Sequence, residues 1–322
     1  MLPSTATAPV AACTVHLPFA ITDFTDFMTS EHHVRRATEA LSPDGVARLP
    51  PGWPHFPIAY CSRTSAVVVG GTDVVRPVGW VHSPTGSSSN PVAECVPSRR
   101  LDYELEFGVF LARGLERSRR LTAAELSEDG EGFREHVFGF VLVNDWSARD
   151  IQALEMVPLG PFAGKSFATT VSGWVVTVDA VMACSRPEKG VERGRWGAMP
   201  DMRFEVAVTD GEDGVKTTTG TANITDLKWN FADMIAHQCL GGCGLRTGDL
   251  LSSGTLSGAG DHERGCLLET TWGGTRTWKT EGKGREKTWL EGGDCVTMTA
   301  FAGTPEDGVG WGESSGVILP AV

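Results

Sequence analysis

The sequence predicts a mainly β fold with a few helices, and three observations support this prediction. Glycine and proline, with 39 and 18 residues, together account for 57 of the 322 residues, about 18% against an average near 12%. The chain is nevertheless 41% hydrophobic, which is typical of a turn-rich globular protein. From Leu101 onward, short apolar or alternating segments are separated by turn residues, a pattern that indicates strands.

Most of the predicted strands follow Leu101. They are the alternating segment 101–112, the buried segment 137–143, and the segments 172–181, 202–210, 249–253, 266–272 and 295–301. Helices are predicted over 30–41 and 230–237, and a charged hairpin with a solvated face over 276–287. Since all-β folds often exceed about 200 residues as one unit, we expect a single domain over 1–322. Its N-terminal part, 1–100, is predicted to be irregular, and 101–322 to form the β core.

Charge and composition exclude several classes of partner. The chain has 28 basic and 40 acidic residues, a net charge of −12 and a pI near 5.1, which argues against nucleic-acid binding. The longest apolar runs are far shorter than the roughly 20 residues of a membrane helix, so no membrane partner is expected. The eight cysteines show no repeated spacing and no signal peptide is visible, which predicts free thiols in the cytoplasm.

An acidic strand is the first candidate for chemistry. Asp102, Glu104 and Glu106 alternate with apolar residues, so they are expected to share one face of a strand. Two carboxylates two residues apart can clamp a hard cation. The polar, solvent-facing side of an amphipathic strand would give the same pattern.

A second candidate follows the buried strand 137–143. Asp145 comes directly after it, and Ser147 with Asp150 forms a capping-box pattern that predicts the start of a helix. Asp145 is therefore expected at a strand-to-helix turn, where functional groups collect.

The predicted helix after Asp145 presents a cation and an amide on one face. Arg149, Gln152 and Met156 are spaced i, i+3 and i+7. The alternative is a surface arginine paired with Asp150 or Glu155.

Lys165 lies in a segment that superficially suggests a phosphate-binding loop. The segment 160–166, GPFAGKS, lacks the glycine spacing of that motif, so the interpretation is rejected. Placed beside Gly164, Thr169 and Thr170, Lys165 could instead stabilise a developing anion. An ordinary surface lysine is the alternative.

Five sequence blocks carry a resemblance to a known family. They are NDWSARDIQ (144–152), VPLGPFAGKSFATTVSGWVV (157–176), LDYELEFGVF (101–110), RTGDLLSSGTLSG (246–258) and GVILPA (316–321). On these blocks the sequence resembles the fumarylacetoacetate hydrolase family. The resemblance implies a β-roll catalytic domain of mixed β-sandwich type, without the small N-terminal domain that usually precedes it. It also implies a homodimer, a divalent metal and hydrolysis of a carbon–carbon bond in a small diketo acid, a reaction of tyrosine and phenylalanine catabolism.

The resemblance also implies a metal site. The residues that match the family's carboxylate ligands are Asp26, Glu104, Glu106 and Asp145. An all-oxygen site of this kind suits Ca²⁺, Mg²⁺ or Mn²⁺. Lys165 and Thr169 match positions associated with a second magnesium. Because an ammonium cannot bind a cation, Lys165 would contribute its carbonyl oxygen or act on substrate.

Catalytic roles follow from the same resemblance. His33 matches the general base, and Glu269 matches the acid that orients it. His33 would take a proton from water, and hydroxide would add to a carbonyl polarised by the metal before the carbon–carbon bond breaks. Arg149, Gln152 and Lys165 would stabilise the oxyanion and the departing carbanion.

The substrate contacts implied by the family are partly replaced here. The residues at these positions are Met28, Ser42, Tyr60, Gln152, Met156 and Thr255. Met28 and Met156 stand where the family has tyrosines, and Ser42 falls near the position of an arginine. The loss of these polar groups predicts a less acidic or bulkier substrate, unless Arg35 or Arg36 compensates.

Two other functions remain open. One is a decarboxylase or isomerase that uses the same metal and enolate chemistry, and the other is a catalytically weak paralogue. His33 and Glu269 favour hydrolysis over the former, and the four carboxylates argue against the latter, because clustered acids are costly without a cation.

Overall fold

The computed structural model describes residues 8–9, 12–86, 92–126, 131–184, 201–304 and 306–322. The strands are β1 (Phe24–Met28), β2 (Ile58–Cys61), β3 (Val67–Val69), β4 (Val74–Val75), β5 (Val78–His82), β6 (Ala93–Pro97), β7 (Leu101–Asp102), β8 (Leu105–Leu111), β9 (Val137–Asp145), β10 (Ser147–Ala148), β11 (Thr169–Val171), β12 (Val176–Thr177), β13 (Met202–Thr209), β14 (Lys216–Asn223), β15 (Leu250–Ser252), β16 (Trp278–Lys279), β17 (Glu286–Lys287), β18 (Cys295–Ala302) and β19 (Val309–Leu319). The helices are α1 (Glu31–Leu41), α2 (Glu131–His136), α3 (Arg149–Glu155), α4 (Val178–Ala183), α5 (Phe231–Leu240) and α6 (Leu267–Thr270). The predicted mainly β fold is confirmed.

The larger sheet unites the N-terminal part of the chain with the predicted core. Its order is β2-β1-β15-β8-β9-β11-β3, and β12 also pairs with β9. Strand β1 runs parallel to β15, whereas β8 pairs antiparallel with both β15 and β9. Strands β8 and β9 are apolar and buried along most of their length, as central strands covered on both faces should be.

A second sheet, of order β14-β13-β18-β19-β4, packs against the first. Phe107 of β8 lies at the contact, with its ring 5.0 Å from that of Phe204 and 5.1 Å from that of Trp311. The indole nitrogen of Trp311 also donates to the carbonyl oxygen of Phe140 at 2.8 Å. The main core therefore lies between two sheets, as expected of the β-roll type.

Several local predictions hold. Helix α1 begins after Ser30, whose side chain accepts a hydrogen bond from the backbone N–H of His33. Helix α5 begins after Asn230 with a capping box to Asp233. The hairpin β16–β17 forms where glycines break the charged segment. The prediction that its charged face is solvated is wrong at Lys287, which is buried and paired with acidic side chains.

Two predicted strands are partly helical. In segment 172–181 only β12 is extended, because the Thr177 hydroxyl accepts from the N–H of Ala180 and caps α4. Segment 266–272 contains α6 instead of a strand. The N–H groups of Leu267 and Leu268 bond to the side chain of Asp102, a distant contact that overrides the local β preference.

The capping box predicted from Ser147 and Asp150 is also wrong. Ser147 belongs to β10, which pairs with β7, and its hydroxyl donates to the carbonyl oxygen of Asp145. Asp150 accepts hydrogen bonds from the hydroxyl of Ser98 and the N–H of Arg99. Helix α3 accordingly begins two residues after Ser147, without a side-chain cap.

The acidic strand is broken between β7 and β8. Asp102 is directed to α6 and Arg149, whereas Glu104 and Glu106 join the candidate metal ligands. All three are buried, so the solvent-facing alternative is wrong. Because Asp102 contacts other partners than Glu104 and Glu106 do, the expectation of one shared face is wrong as well.

Among the described residues, no helix combines the length and the hydropathy needed to span a bilayer. All eight cysteines are free.

Candidate active site

Four buried carboxylates converge where β1, β8 and β9 lie close together in the larger sheet. They belong to Asp26, Glu104, Glu106 and Asp145, and one oxygen of each lies within 4.8 Å of one from every other. The strand order β1-β15-β8-β9 brings these residues together across long stretches of sequence. Glu104 is tied to the end of β9 because its carbonyl oxygen accepts the N–H of Asp145.

The carboxylates are not all neutralised by the protein. Asp26 Oδ1 and Glu106 Oε1 are buried and have no hydrogen-bond partner within the part of the chain that the structure describes. Burial and the neighbouring carboxylates raise the pKa of both acids well above the usual range. Among these carboxylates, Asp145 has the largest effect on Asp26, and Asp26 has the largest effect on Glu106. Unpartnered oxygen donors in such a cluster fit a hard divalent cation such as Ca²⁺, Mg²⁺ or Mn²⁺.

Lys165 balances part of this negative charge. Its ammonium contacts Glu104 Oε2 and lies 2.6 Å from Asp145 Oδ2. Burial alone would raise the pKa of Glu104, but Lys165, with Arg149 and His33, lowers that pKa to about 2. The surface-lysine alternative is therefore wrong.

Two hydroxyl groups complete the surroundings of Asp145. Tyr60 donates to Asp145 Oδ2 at 2.6 Å, and Thr169 donates to Asp145 Oδ1 at 3.3 Å. Thr169 is Cα partner of Asp145 in the β11–β9 pairing, so the register of the sheet sets this contact. Tyr60 thus lies at the carboxylate cluster.

A histidine–carboxylate dyad lies beside the cluster. His33 Nδ1 is 2.7 Å from Glu269 Oε1, and both residues are buried. Ser257 donates to the same Glu269 oxygen at 2.6 Å, and Arg36 donates to Oε2 at 3.3 Å. Burial opposes ionisation of Glu269, but the hydrogen bond and charge of His33, with Ser257 and Arg36, lower its pKa overall.

Arg149 links Asp102 to the carboxylate cluster. Its Nε donates to Asp102 Oδ2 at 2.9 Å, and its Nη1 lies 2.8 Å from Glu104 Oε1. Nη1 also donates to Gln152 Oε1 at 3.2 Å. A surface Arg149 paired with Asp150 or Glu155 is therefore wrong.

The remaining predicted substrate contacts are more dispersed. Met28 is half-buried against the apolar cluster that contains Trp53. Thr255 is buried, whereas Met156 is 41% exposed just beyond α3. The hydroxyl of Ser42 is held at the surface by Asp44 and Arg48.

Neither arginine considered as a substitute for a substrate-binding arginine is free. Arg35 pairs with Glu31 on the exposed face of α1. Arg36 donates to Glu269 and to carbonyl oxygens over 259–263.

Several supporting residues were not predicted from the sequence. Ser252 donates to Glu106, and Ser257 donates to Glu269. Both lie in block 246–258, so the block indicated their neighbourhood without indicating their roles. Asp102 was noted only as part of the acidic strand.

Comparison with known proteins establishes the family. Residues 23–311 match the family described as fumarylacetoacetate (FAA) hydrolase C-terminal. Curated fumarylacetoacetases from Oryza sativa subsp. japonica and Bos taurus are each 37% identical to the chain, over 321 and 319 residues. The match covers 98% of this chain and 72% of the rice protein, and 97% of this chain and 73% of the bovine protein. The chain belongs to the fumarylacetoacetate hydrolase family, as its sequence predicts.

Solved structures share the fold at much lower identity. A 5-carboxymethyl-2-hydroxymuconate delta-isomerase from Mycobacterium smegmatis has a TM-score of 0.57 at 14% identity, covering 98% of this chain and 85% of that chain. A 2-hydroxyhepta-2,4-diene-1,7-dioate isomerase from Mycobacterium marinum has a TM-score of 0.55 at 15% identity, covering 98% and 82%. These likenesses concern the fold alone. The family match and the curated relatives confirm the predicted enzyme class, a hydrolase that acts on carbon–carbon bonds.

Proposed function

We propose that the protein uses a divalent metal to hydrolyse a carbon–carbon bond in a β-diketo acid. The substrate is fumarylacetoacetate, split to fumarate and acetoacetate, or a related and less acidic diketone. The observation that carries this proposal is the buried four-carboxylate cluster, two of whose oxygens accept no hydrogen bond from any described residue, beside the His33–Glu269 dyad. The homodimer stays a prediction, and so does the cytoplasmic location that the cysteines and the lack of a visible signal peptide indicate.

The metal is assigned to Asp26, Glu104, Glu106 and Asp145. Their oxygen donors fit Ca²⁺, Mg²⁺ or Mn²⁺, and a bound cation would act as a Lewis acid on a substrate carbonyl. Because the Lys165 ammonium already contacts Glu104 and Asp145, its charge is better suited to stabilise an anion than to bind metal. The proposed second magnesium would have Thr169 and the Lys165 carbonyl oxygen as its candidate ligands.

His33 is proposed to act as the general base. When Nδ1–H donates to Glu269, the other ring nitrogen, Nε2, is the basic one and can take a proton from water. The water oxygen then forms a bond to the carbonyl carbon. The carbon–carbon bond breaks with its electron pair on the departing enolate, which is afterwards protonated. The Glu269 carboxylate stabilises the imidazolium formed in the first step.

The polar groups around Glu104 are proposed to stabilise developing negative charge. Gln152 accepts from Arg149 through its carbonyl oxygen, so its amide nitrogen is available to donate to substrate. Arg149 and Lys165 supply fixed cations that contact the two carboxylate oxygens of Glu104. The dyad favours hydrolysis over the isomerase or decarboxylase alternative, since it provides a base for water.

The test is a product assay with purified protein and fumarylacetoacetate. With Mg²⁺ or Ca²⁺ present, we expect fumarate and acetoacetate to appear in equal amounts. A chelator should abolish turnover, and readdition of the metal should restore it. Intact substrate in the metal-loaded reaction would contradict hydrolysis of this diketo acid, and equal turnover in chelator would contradict metal dependence.

We also propose that the distal end of the preferred substrate is less polar than that of fumarylacetoacetate. Met28 and Met156 stand at positions where the resemblance implies substrate contacts, and they offer no hydrogen-bond donors. Each charge-assisted contact that is missing costs about tenfold or more in discrimination. We therefore expect a higher kcat/KM for a diketo acid with an apolar distal end. The triple variant Met28→Tyr, Ser42→Arg and Met156→Tyr should shift the preference toward the dicarboxylate. An unmodified protein that prefers fumarylacetoacetate would contradict this proposal.

A further inference from the structure

Asp102 is a buried carboxylate to which the proposed mechanism gives no role. It is 0% exposed, and within the described residues it accepts hydrogen bonds from N–H groups of four different residues. We propose that Asp102 is a positioning residue that fixes Glu269 and Arg149 relative to each other. This inference rests on the proposed function, because it assumes that those two residues act in the reaction.

The Asp102 carboxylate holds the helix that carries Glu269 through two backbone hydrogen bonds. Asp102 Oδ1 accepts the N–H of Leu267 at 2.7 Å, and Oδ2 accepts the N–H of Leu268 at 2.9 Å. Helix α6 has only four residues, and Cys266 at its N-cap provides no side-chain cap. Its first N–H groups therefore depend on an acceptor from elsewhere in the chain, and Glu269 follows directly after them.

The same carboxylate also holds Arg149. Asp102 Oδ2 accepts from Arg149 Nε at 2.9 Å. The opposite end of the same guanidinium lies 2.8 Å from Glu104. Because the guanidinium is a rigid planar fork, fixing Nε also fixes the direction in which Nη1 points.

The backbone holds Asp102 between these two partners. In the pairing of β7 with β10, Asp102 is the Cα partner of Ser147, two residues before Arg149. The N–H of Arg149 also donates to the carbonyl oxygen of Arg100 at 2.9 Å. A single carboxylate on a short, doubly anchored strand thus connects the residue that orients the base with a cation at the carboxylate cluster.

The first variant to test is Asp102→Asn. It keeps the shape of the side chain but replaces one carboxylate oxygen by an NH₂ group. This group would face N–H donors and could accept no hydrogen bond from them. A displacement of about 1 Å in catalytic groups can cost about 10²-fold in rate. We therefore expect kcat to fall by roughly 10- to 100-fold with KM changed by less than about threefold.

Asp210→Asn is the matched control. Asp210 is also buried, at 1% exposure, and it also bonds a guanidinium, with its Oδ1 2.9 Å from Arg285 Nη1. It belongs to an ion-pair group outside the candidate active site. We expect this variant to lose stability while its folded fraction keeps the wild-type kcat.

A second readout does not need turnover. The proton that His33 Nδ1 donates to Glu269 lies in a short hydrogen bond of 2.7 Å, so it is strongly deshielded and gives a downfield proton NMR signal. Its loss in Glu269→Gln assigns the signal. We expect the signal to shift or disappear in Asp102→Asn and to persist in Asp210→Asn. A wild-type protein that shows the signal but cleaves no diketo acid would contradict the proposed function. The NMR comparison of the variants would still test whether Asp102 positions the dyad.

Asp102→Glu serves if Asp102→Asn does not fold. It retains the charge but displaces the carboxylate by one methylene, so we expect a folded protein with lowered kcat and a shifted signal. A wild-type kcat and an unchanged NMR signal in either folded variant would overturn the proposal. An activity loss no greater than the fall in folded fraction, with the signal unchanged, would overturn it as well.

Discussion

His33 and His32 are neighbours on α1, but their surroundings differ. Adjacent helical residues point about 100° apart, and His33 is the buried member that contacts Glu269. We expect His33→Ala to reduce kcat by about 10²-fold or more, measured with saturating metal and substrate. His32→Ala is the matched control and should keep near-normal turnover. Equal losses in the two variants would contradict the assignment of His33 as the base.

The sequence predicts which residues carry the chemistry better than it predicts which of these residues contact one another. The resemblance to the family singles out the four carboxylates of the metal site, His33 and Glu269. However, 236 positions separate His33 from Glu269, and no local pattern pairs them. The contacts of Ser257 and Asp102 could not be predicted for the same reason, since each acquires its role only when distant segments meet.

Helix α1 shows how a local signal can place a catalytic group. Ser30 accepts the N–H of His33 at 3.2 Å and donates to the carbonyl oxygen of Ser257 at 2.8 Å. It therefore caps the helix and also ties it to the segment whose serine contacts Glu269. Helix α6 differs from α1, because the residue at its N-cap, Cys266, provides no side-chain cap. The sequence therefore gives no local signal for this four-residue helix and predicts a strand there.

We expect Ser30→Ala to destabilise the protein and to lower turnover together. Loss of an N-cap side chain costs about 1 kcal/mol, which urea unfolding would measure. Because the same substitution frees the start of α1 near His33, kcat should also fall. Thr177→Ala removes the corresponding cap of α4, a helix without a site residue. If that control lowered kcat per folded molecule as much as Ser30→Ala, the link from the cap to His33 would be wrong.

The whole molecule depends on long-range strand pairing that composition alone could not specify. The mainly β class and strands β9, β13 and β18 could be predicted from apolar segments and turns. The parallel pairing of Phe24 with Leu250 could not, because it joins residues more than two hundred positions apart. This pairing brings Asp26 beside the strands that carry Glu106 and Asp145, so the site depends on the complete fold.

A buried ion-pair group stabilises the second sheet away from the active site. The ammonium of Lys287, wholly buried, lies 2.9 Å from Asp210 Oδ2 and 2.6 Å from Asp294 Oδ1. Asp210 also accepts the N–H of Glu212 at 2.8 Å. The group connects the end of β13 with β17 and with the turn before β18, so it links segments distant in the chain.

This ion-pair group predicts how the stability of the molecule depends on pH. Burial would raise the pKa of Asp210, but Lys287 and Arg285, with the N–H of Glu212, lower it overall. Because its folded-state pKa lies below the unfolded value of about 3.9, its stabilisation is complete above that pH and is lost as the pH falls through the folded value. We expect Asp210→Asn to cost about 1–3 kcal/mol at neutral pH, and the difference in melting temperature from wild type to shrink below about pH 4. Asp44→Asn, at an exposed pair with Arg48, should change the melting temperature little, since solvent screens that pair. A melting-temperature difference for Asp210→Asn that stays constant from neutral pH to pH 2 would contradict this account.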